Sequence, residues 1–157
     1  MKASTKKQIR FAGGILFVMY ILLLIYFLFF AEWYGRGTGT HADTQYNFIP
    51  FWEIMRFWHS RTQLGFWAVF LNLGGNIIGF LPFGFIMPIL HPNLKRGWLV
   101  ILMGCLLSCC VECLQFIFRV GSCDIDDVIL NTTGTAVGYL LFTICNLIRR
   151  HHRGKRT

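Results

Sequence analysis

The chain has 157 residues, of which 55% are hydrophobic, 17% aromatic and only 14% charged. So little charge excludes an ordinary soluble domain, and the length suits one compact unit, so residues 1–157 read as a single all-α integral membrane domain. The net charge of +8 raises nucleic acid as a partner, but the basic residues are spread over tails and short loops, where they read as topology signals and lipid contacts instead.

The N-terminus carries Lys2, Lys6, Lys7 and Arg10 ahead of the apolar run 11–31, which at about 20 residues is long enough to cross a bilayer core. This run exceeds the apolar part of a signal peptide and ends without a small-residue cleavage pattern, so a retained membrane anchor is expected. A mixed loop, 32–64, follows, glycine- and threonine-rich at its start. Within it NFIPFWEIMRFWHS, 47–60, predicts an interfacial helix: Phe48, Trp52, Met55 and Trp58 toward lipid, Glu53, Arg56 and His59 toward the head groups. A catalytic His59 is weighed against the commoner solvated surface role.

The second span, 66–90, contains Asn72, Asn76, Pro82 and Pro88. Pro82 is expected to kink the helix or open its hydrogen-bond ladder. Asn72 and Asn76, one turn apart, read as amides bonding across helices. A turn with Lys95 and Arg96 leads to the third span, 98–118, and the fourth covers 128–148. The histidines of the tail RRHHRGKRT read as part of a basic patch on anionic lipid. Cys105, Cys109, Cys110, Cys113 and Cys145 lie in apolar runs and read as small packing residues. Cys105, Cys109 and Cys113 share one face, yet no histidine or CxxC pair joins them, so neither a metal nor a cofactor is expected. Cys123, in an outer loop, is the thiol expected near water.

Eleven of the fifteen basic residues fall in the N-terminus, the 91–97 turn and the C-terminal tail, segments that four spans bring to one side. The positive-inside bias makes that side cytoplasmic, with both termini there. All seven acidic residues, Glu32, Asp43, Glu53, Glu112, Asp124, Asp126 and Asp127, then belong to outer loops or to outward halves of spans.

The stretch from Ser108 to Gly138 concentrates the chemistry. Ionisable groups are costly in hydrocarbon and tend to face a bundle interior. Glu112, Gln115 and Arg119 are spaced i, i+3, i+7 on one face of the third span, and Asp127 and Asn131 are i, i+4 on the fourth. Gly134 and Gly138 continue that stripe and allow close helix approach. Asn76, about ten residues into its own span, reaches a similar depth. These groups predict a polar site in the outer leaflet. The competing reading is a buried ion-pair network, Arg119 with Glu112 or Asp127, that only fixes packing.

At these residues the chain resembles the VanZ-like family of small bacterial membrane proteins. The family pattern Glu-x-x-Gln, a following Arg, then Asp-Val-Ile-x-Asn-Thr-x-Gly-x-x-x-Gly stands here as Glu112 to Gly138. NIIGFLPFG, giving Asn76, Pro82 and Gly84, and NFIPF, at Asn47 to Phe51, are similar to further family elements. Asp126 and Asp127 form a doubled acid, of which Asp127 takes the family position. The resemblance implies a multi-pass protein of the bacterial cell membrane associated with low-level resistance to glycopeptides such as teicoplanin.

Two functions are consistent with these residues. In the first, the site binds or modifies the polar head of an amphiphile. Arg119 clamps a phosphate or carboxylate, Glu112 accepts a proton, Asp127 assists, and Asn76, Gln115, Asp124 and Asn131 orient the ligand. No nucleophile stands beside a base, and Ser108 is weakly placed for that role. A divalent cation at Asp124, Asp126, Asp127 and Glu112 is weighed against a simple acidic helix start. In the second, the protein is a non-catalytic accessory that alters how a lipoglycopeptide or lipid-linked precursor of the cell envelope sits among the membrane lipids. Transport is a weaker third, since four spans without a visible repeat need oligomerisation to make a pathway.

Overall fold

The computed structural model describes residues 3–27, 29, 46–91, 96–118 and 121–154. Helix α1 (Ala3–Tyr26) is followed by the short strand β1 (Tyr46–Asn47), α2 (Trp52–His59) and α3 (Arg61–Leu64). Next, α4 (Phe66–Val69) runs through a π-helical turn, Phe70–Gly74, into α5 (Gly75–Leu90). Then come α6 (Gly97–Phe118), the strand β2 (Cys123–Asp124) and α7 (Ile125–Gly154). Among the described residues, three helices are long and apolar enough to cross a membrane: Phe70–Leu90, Gly97–Phe118 and Ile125–His152. The apolar part of α1, Phe11–Tyr26, is shorter, and residue 28 and residues 30–31 of the expected first span lie outside the described residues.

The core is inverted relative to a water-soluble domain. Of the six largest side chains that are essentially inaccessible, four are polar: Ser108, Asp126, Asn131 and Thr135. Large apolar side chains such as Leu22, Leu71, Leu106, Ile117 and Leu140 are exposed. Such an exterior suits hydrocarbon, while the polar groups find partners between helices.

Helix α7 lies between α5 and α6. Toward α5 the contact is backbone on backbone. A Cβ at Gly134 would strike the Ile77 carbonyl, one at Gly138 the Leu81 carbonyl, and one at Gly84 the Thr135 carbonyl. The four-residue steps from Ile77 to Leu81 and from Gly134 to Gly138 run together, so the two helices cross in parallel. Toward α6 the order reverses, because Gly104 abuts Thr135 while Ser108, one turn later, meets Asn131. Small residues let backbones approach closely enough for dispersion and polar contacts to hold helices together without a hydrophobic drive.

Pro82 and Pro88 sit inside α5 without ending it. Pro82 leaves the Ile78 carbonyl without its helical donor. One residue on, the Tyr20 hydroxyl of α1 donates to the Gly79 carbonyl at 2.8 Å. Phe17 against Phe83, with ring centroids 6.0 Å apart, and Leu24 against Gly79 complete the seat of α1 on α5.

Three sequence expectations need correction. The chain is not wholly helical: β1 and β2 pair in parallel, Tyr46 with Cys123 and Asn47 with Asp124. The interfacial helix begins at Trp52 and not at Asn47, because Asn47 is taken by the strand and its Oδ1 accepts the Ile49 N–H at 3.1 Å in a local turn. Asn72 and Asn76 diverge. The π-helical turn widens the helix between them, leaving Asn72 exposed while Asn76 points to α7.

Candidate functional site

The polar groups of α6 lie on its buried stripe, Val100, Gly104, Ser108, Val111, Glu112 and Gln115, which recurs every three or four residues and faces α7. The innermost layer is Thr135, whose hydroxyl donates to the Asn131 carbonyl at 3.1 Å in a seat made by the missing side chain of Gly104. One turn outward, Asn131 Nδ2 donates to Ser108 Oγ at 2.8 Å, both groups buried.

Above this pair stands an acidic node. Glu112, only 3% exposed, accepts the Asp124 N–H on Oε2 at 3.0 Å. Asp124 Oδ1 accepts the Asn47 amide at 3.2 Å and the Asp126 N–H at 2.9 Å. Asp126, 1% exposed, receives two backbone donors from the start of α2, Phe51 N–H at 2.5 Å and Ile54 N–H at 3.1 Å. Asp127 turns the other way and accepts the Asn76 amide of α5 at 2.5 Å. Gln115 is 3% exposed on the same stripe as Glu112.

Carboxylates so enclosed repel one another and lose hydration, and both effects are visible at Asp124. Burial pushes its carboxyl above the usual 3.8 and the Asp126 charge adds to the rise, while the Asp126 N–H, the Asn47 amide and the Arg56 charge oppose it. The Cys123 thiol is raised as well, by burial and then by the Glu112 charge. Arg56 of α2 is paired with Glu53 at 2.5 Å, and so reaches Asp124 only through its field.

The structure thus gathers Glu112, Asp124 and Asp127 where the C-terminal part of α6 meets the start of α7, with Asn76 joined to Asp127 and Asn131 one turn further along α7. Arg119 lies outside the described residues. Asp127 and Asn131 share a face of α7, yet they serve different neighbours, α5 and α6. Pro82 stands at the α1 junction, and Gly84, Gly134 and Gly138 form the α5–α7 crossing, so these four shape the scaffold. His59 is exposed on α2 with Nδ1 at 2.8 Å from the Met55 carbonyl, away from the node. Cys109, Cys110 and Cys113 are exposed on the outside of α6.

Sequence reasoning undervalued Asp126, Asn47 and Ser108. The doubled acid was the one signal for Asp126, and the NFIPF motif the one for Asn47. Ser108 is bonded to an amide, which cannot serve it as a base. Among the described residues no three His, Cys, Asp or Glu side chains converge as a metal ion requires.

Residues 17–146 match the family model described as VanZ/LLP1. Over 133 residues the chain is 31% identical to Protein VanZ of Enterococcus faecium, an alignment that covers 83% of this chain and 73% of that protein. No solved structure matches significantly.

Proposed function

We propose, from the premise that the chain belongs to the VanZ/LLP1 family, that it protects a bacterial cell against a lipoglycopeptide such as teicoplanin by binding the head of an amphiphile at the outer ends of α5, α6 and α7. The supporting observation is the node of Glu112, Asp124 and Asp126, each at most 6% exposed, in helices whose outward surfaces are apolar. Burial of that many carboxylates costs more than packing returns, and they are held by backbone donors in a fixed arrangement.

Binding is the reading favoured over covalent chemistry. Ser108 faces Asn131 and no base, and His59 faces its own helix. Arg119, next after the described end of α6, supplies the cation for a phosphate or carboxylate on the ligand, with Gln115 and Asn76 as orienting amides. In this proposal α1 adds a fourth span, both termini are cytoplasmic, and the node faces outward in the plasma membrane.

The accessory reading keeps the phenotype and drops the ligand. It draws on the same hydrogen bonds, since Asp126 to Phe51 and Ile54 and Glu112 to Asp124 also serve to hold loops. Expression of the full chain in a teicoplanin-sensitive bacterium separates the readings. The parent should raise the teicoplanin concentration needed for inhibition, and Arg119→Ala should abolish the rise at equal membrane abundance. If the parent accumulates in the membrane and susceptibility does not move, the proposed phenotype is wrong. If Arg119→Ala protects like the parent, the head-group clamp is wrong and the accessory reading stands.

A further inference from the structure

Two positions of unusual backbone frame the segment that carries α2 and α3. Phe51, which starts α2, sits at φ 65°, and Gly65, which ends α3, sits at φ 83°. A left-handed conformation is disfavoured for a bulky residue and persists only where its surroundings enforce it. At Phe51 the enforcing group is Asp126, whose two oxygens take the Phe51 and Ile54 N–H groups. Ile54, third in the helix, is a donor that an N-cap side chain ordinarily satisfies, and the Phe51 N–H is the one that a capping-box Glu or Gln takes. Phe51 provides no cap of its own, so the start of α2 is capped from 75 residues away.

Among the described residues, none covers the aromatic face of α2. Trp52, Met55 and Trp58 are each more than half exposed, and Phe48 and Ile49 extend the patch. Beyond Gly65 it continues into Phe66, Trp67 and Phe70, which contact one another at the start of the second span. An aromatic edge continuous with a membrane-spanning surface matches the head-group boundary of a bilayer. The cations fit the same place: Arg56, paired with Glu53, and Arg61 are exposed beside these rings, with Arg61 4.8 Å from the Trp58 ring and one of its nitrogens donating to the Trp58 carbonyl at 2.8 Å, which leaves its other donors for lipid phosphates.

We propose that the segment Phe51–Gly65 docks into the head-group layer of a phospholipid bilayer through Trp52, Met55 and Trp58, and that Asp126 is the latch holding it beside Glu112 and Asp124. Asp126 is then a positioning residue that contacts no ligand. The inference rests on the proposed head-group site for its significance, yet the lipid contact and the latch are measurable without any amphiphile ligand. Susceptibility to teicoplanin therefore tests the proposed function separately.

The experiment uses the full chain in phosphatidylcholine–phosphatidylglycerol nanodiscs. In a version retaining Trp52 alone, with Trp33, Trp58, Trp67 and Trp98 replaced by Phe, emission should be quenched by acyl-brominated lipid and shielded from aqueous iodide. Quenching by iodide and not by brominated lipid would overturn the lipid docking, and so would insensitivity to both, which means a protein partner covers the face. Amide exchange reads the latch. Asp126→Asn should speed exchange at Phe51 and Ile54 by about tenfold or more, while Gly134 and Gly138 at the α5–α7 crossing keep their protection. Labelling of Cys123 by a polar maleimide, located by mass spectrometry, should quicken in parallel. Unchanged exchange at Phe51 and Ile54 would remove Asp126 as the latch. Should Asp126→Asn not fold, quenching in the version that retains Trp52 alone, with Asp126 intact, still decides the docking, and the parent's exchange decides the latch: Phe51 and Ile54 amides no slower than those of Arg61–Leu64 would refute it.

Discussion

Asn76 on α5, the residue before Ile77, donates its amide N–H to the Asp127 carboxylate on α7 at 2.5 Å, and Asp127 stands about two turns before the Gly134 that lies on the Ile77 carbonyl. The glycine crossing brings the helices together, and this bond ties the start of α7 to α5 beside it. Asn76→Ala should therefore lower stability in detergent by about 1–3 kcal/mol, the usual worth of a hydrogen bond to a charged acceptor that is partly buried. Asn76→Asp should cost more, since it sets two carboxylates face to face. Thermal unfolding of the purified variants measures both, and an Asn76→Asp protein as stable as the parent would contradict the contact.

The crossing itself makes a sharper claim. Gly134→Ala and Gly138→Ala place a methyl group against backbone carbonyls that cannot rotate away, so each should cost about 2 kcal/mol or more. Gly14 provides the control, because a Cβ there meets nothing within 4 Å. Gly14→Ala should be neutral or stabilising, by at most about 1 kcal/mol from helix propensity. Equal effects at the three positions would mean that α5 and α7 do not touch through these glycines.

Ser108 and Asn131 form a buried pair with no water-facing alternative. Ser108→Ala and Asn131→Ala should each cost roughly 1–3 kcal/mol through the stranded partner, while the double variant should cost less than their sum. A coupling near 1 kcal/mol in a double-mutant cycle is the expected result. Strict additivity would place the two side chains apart.

Asp124 predicts a pH dependence. Its carboxyl is raised above the usual 3.8 by burial first and by the Asp126 charge next, so between the unfolded and folded values the folded chain binds more protons. Stability should then fall as pH climbs from about 3.8 through the raised folded value, and protonation of Asp124 on the acid side should be favourable. Asp124→Asn should flatten that part of the profile while keeping an oxygen for the Asp126 N–H. Melting temperatures of parent and variant across this range decide the matter, and parallel curves would clear Asp124 of the effect.

Much of the architecture can be seen in the sequence, because apolar runs bounded by charge are helices in a bilayer and glycines four apart mark a crossing. The placement of Glu112, Gln115 and Ser108 on one buried stripe likewise follows from the helical repeat. Other features have no periodic signature. A common face for Asp127 and Asn131 does not reveal that α7 has a different helix on each flank. A two-residue parallel strand, Tyr46–Asn47 with Cys123–Asp124, has too few residues to alternate. Asp126 looks like a favourable acid in the first turn of its own helix, whereas its carboxylate serves another helix whose donors lie 72 and 75 residues earlier. Asn72 was displaced by a π-helical turn, which widens the helix without altering the composition.

That separation also imposes an order on biosynthesis. Phe51 and Ile54 leave the ribosome well before Asp126, and at about 5–20 residues per second the interval is roughly 4–15 s. Through that time the start of α2 lacks the carboxylate that satisfies its amides, and β1 lacks the strand it pairs with. The start of α2 is consequently secured only once α7 has begun to emerge, although it is translated ahead of α5, α6 and α7. A chain truncated within α6 should insert its earlier spans and leave α2 open to protease, so a nested set of truncations would show protection of the loop beginning only when Asp126 is included.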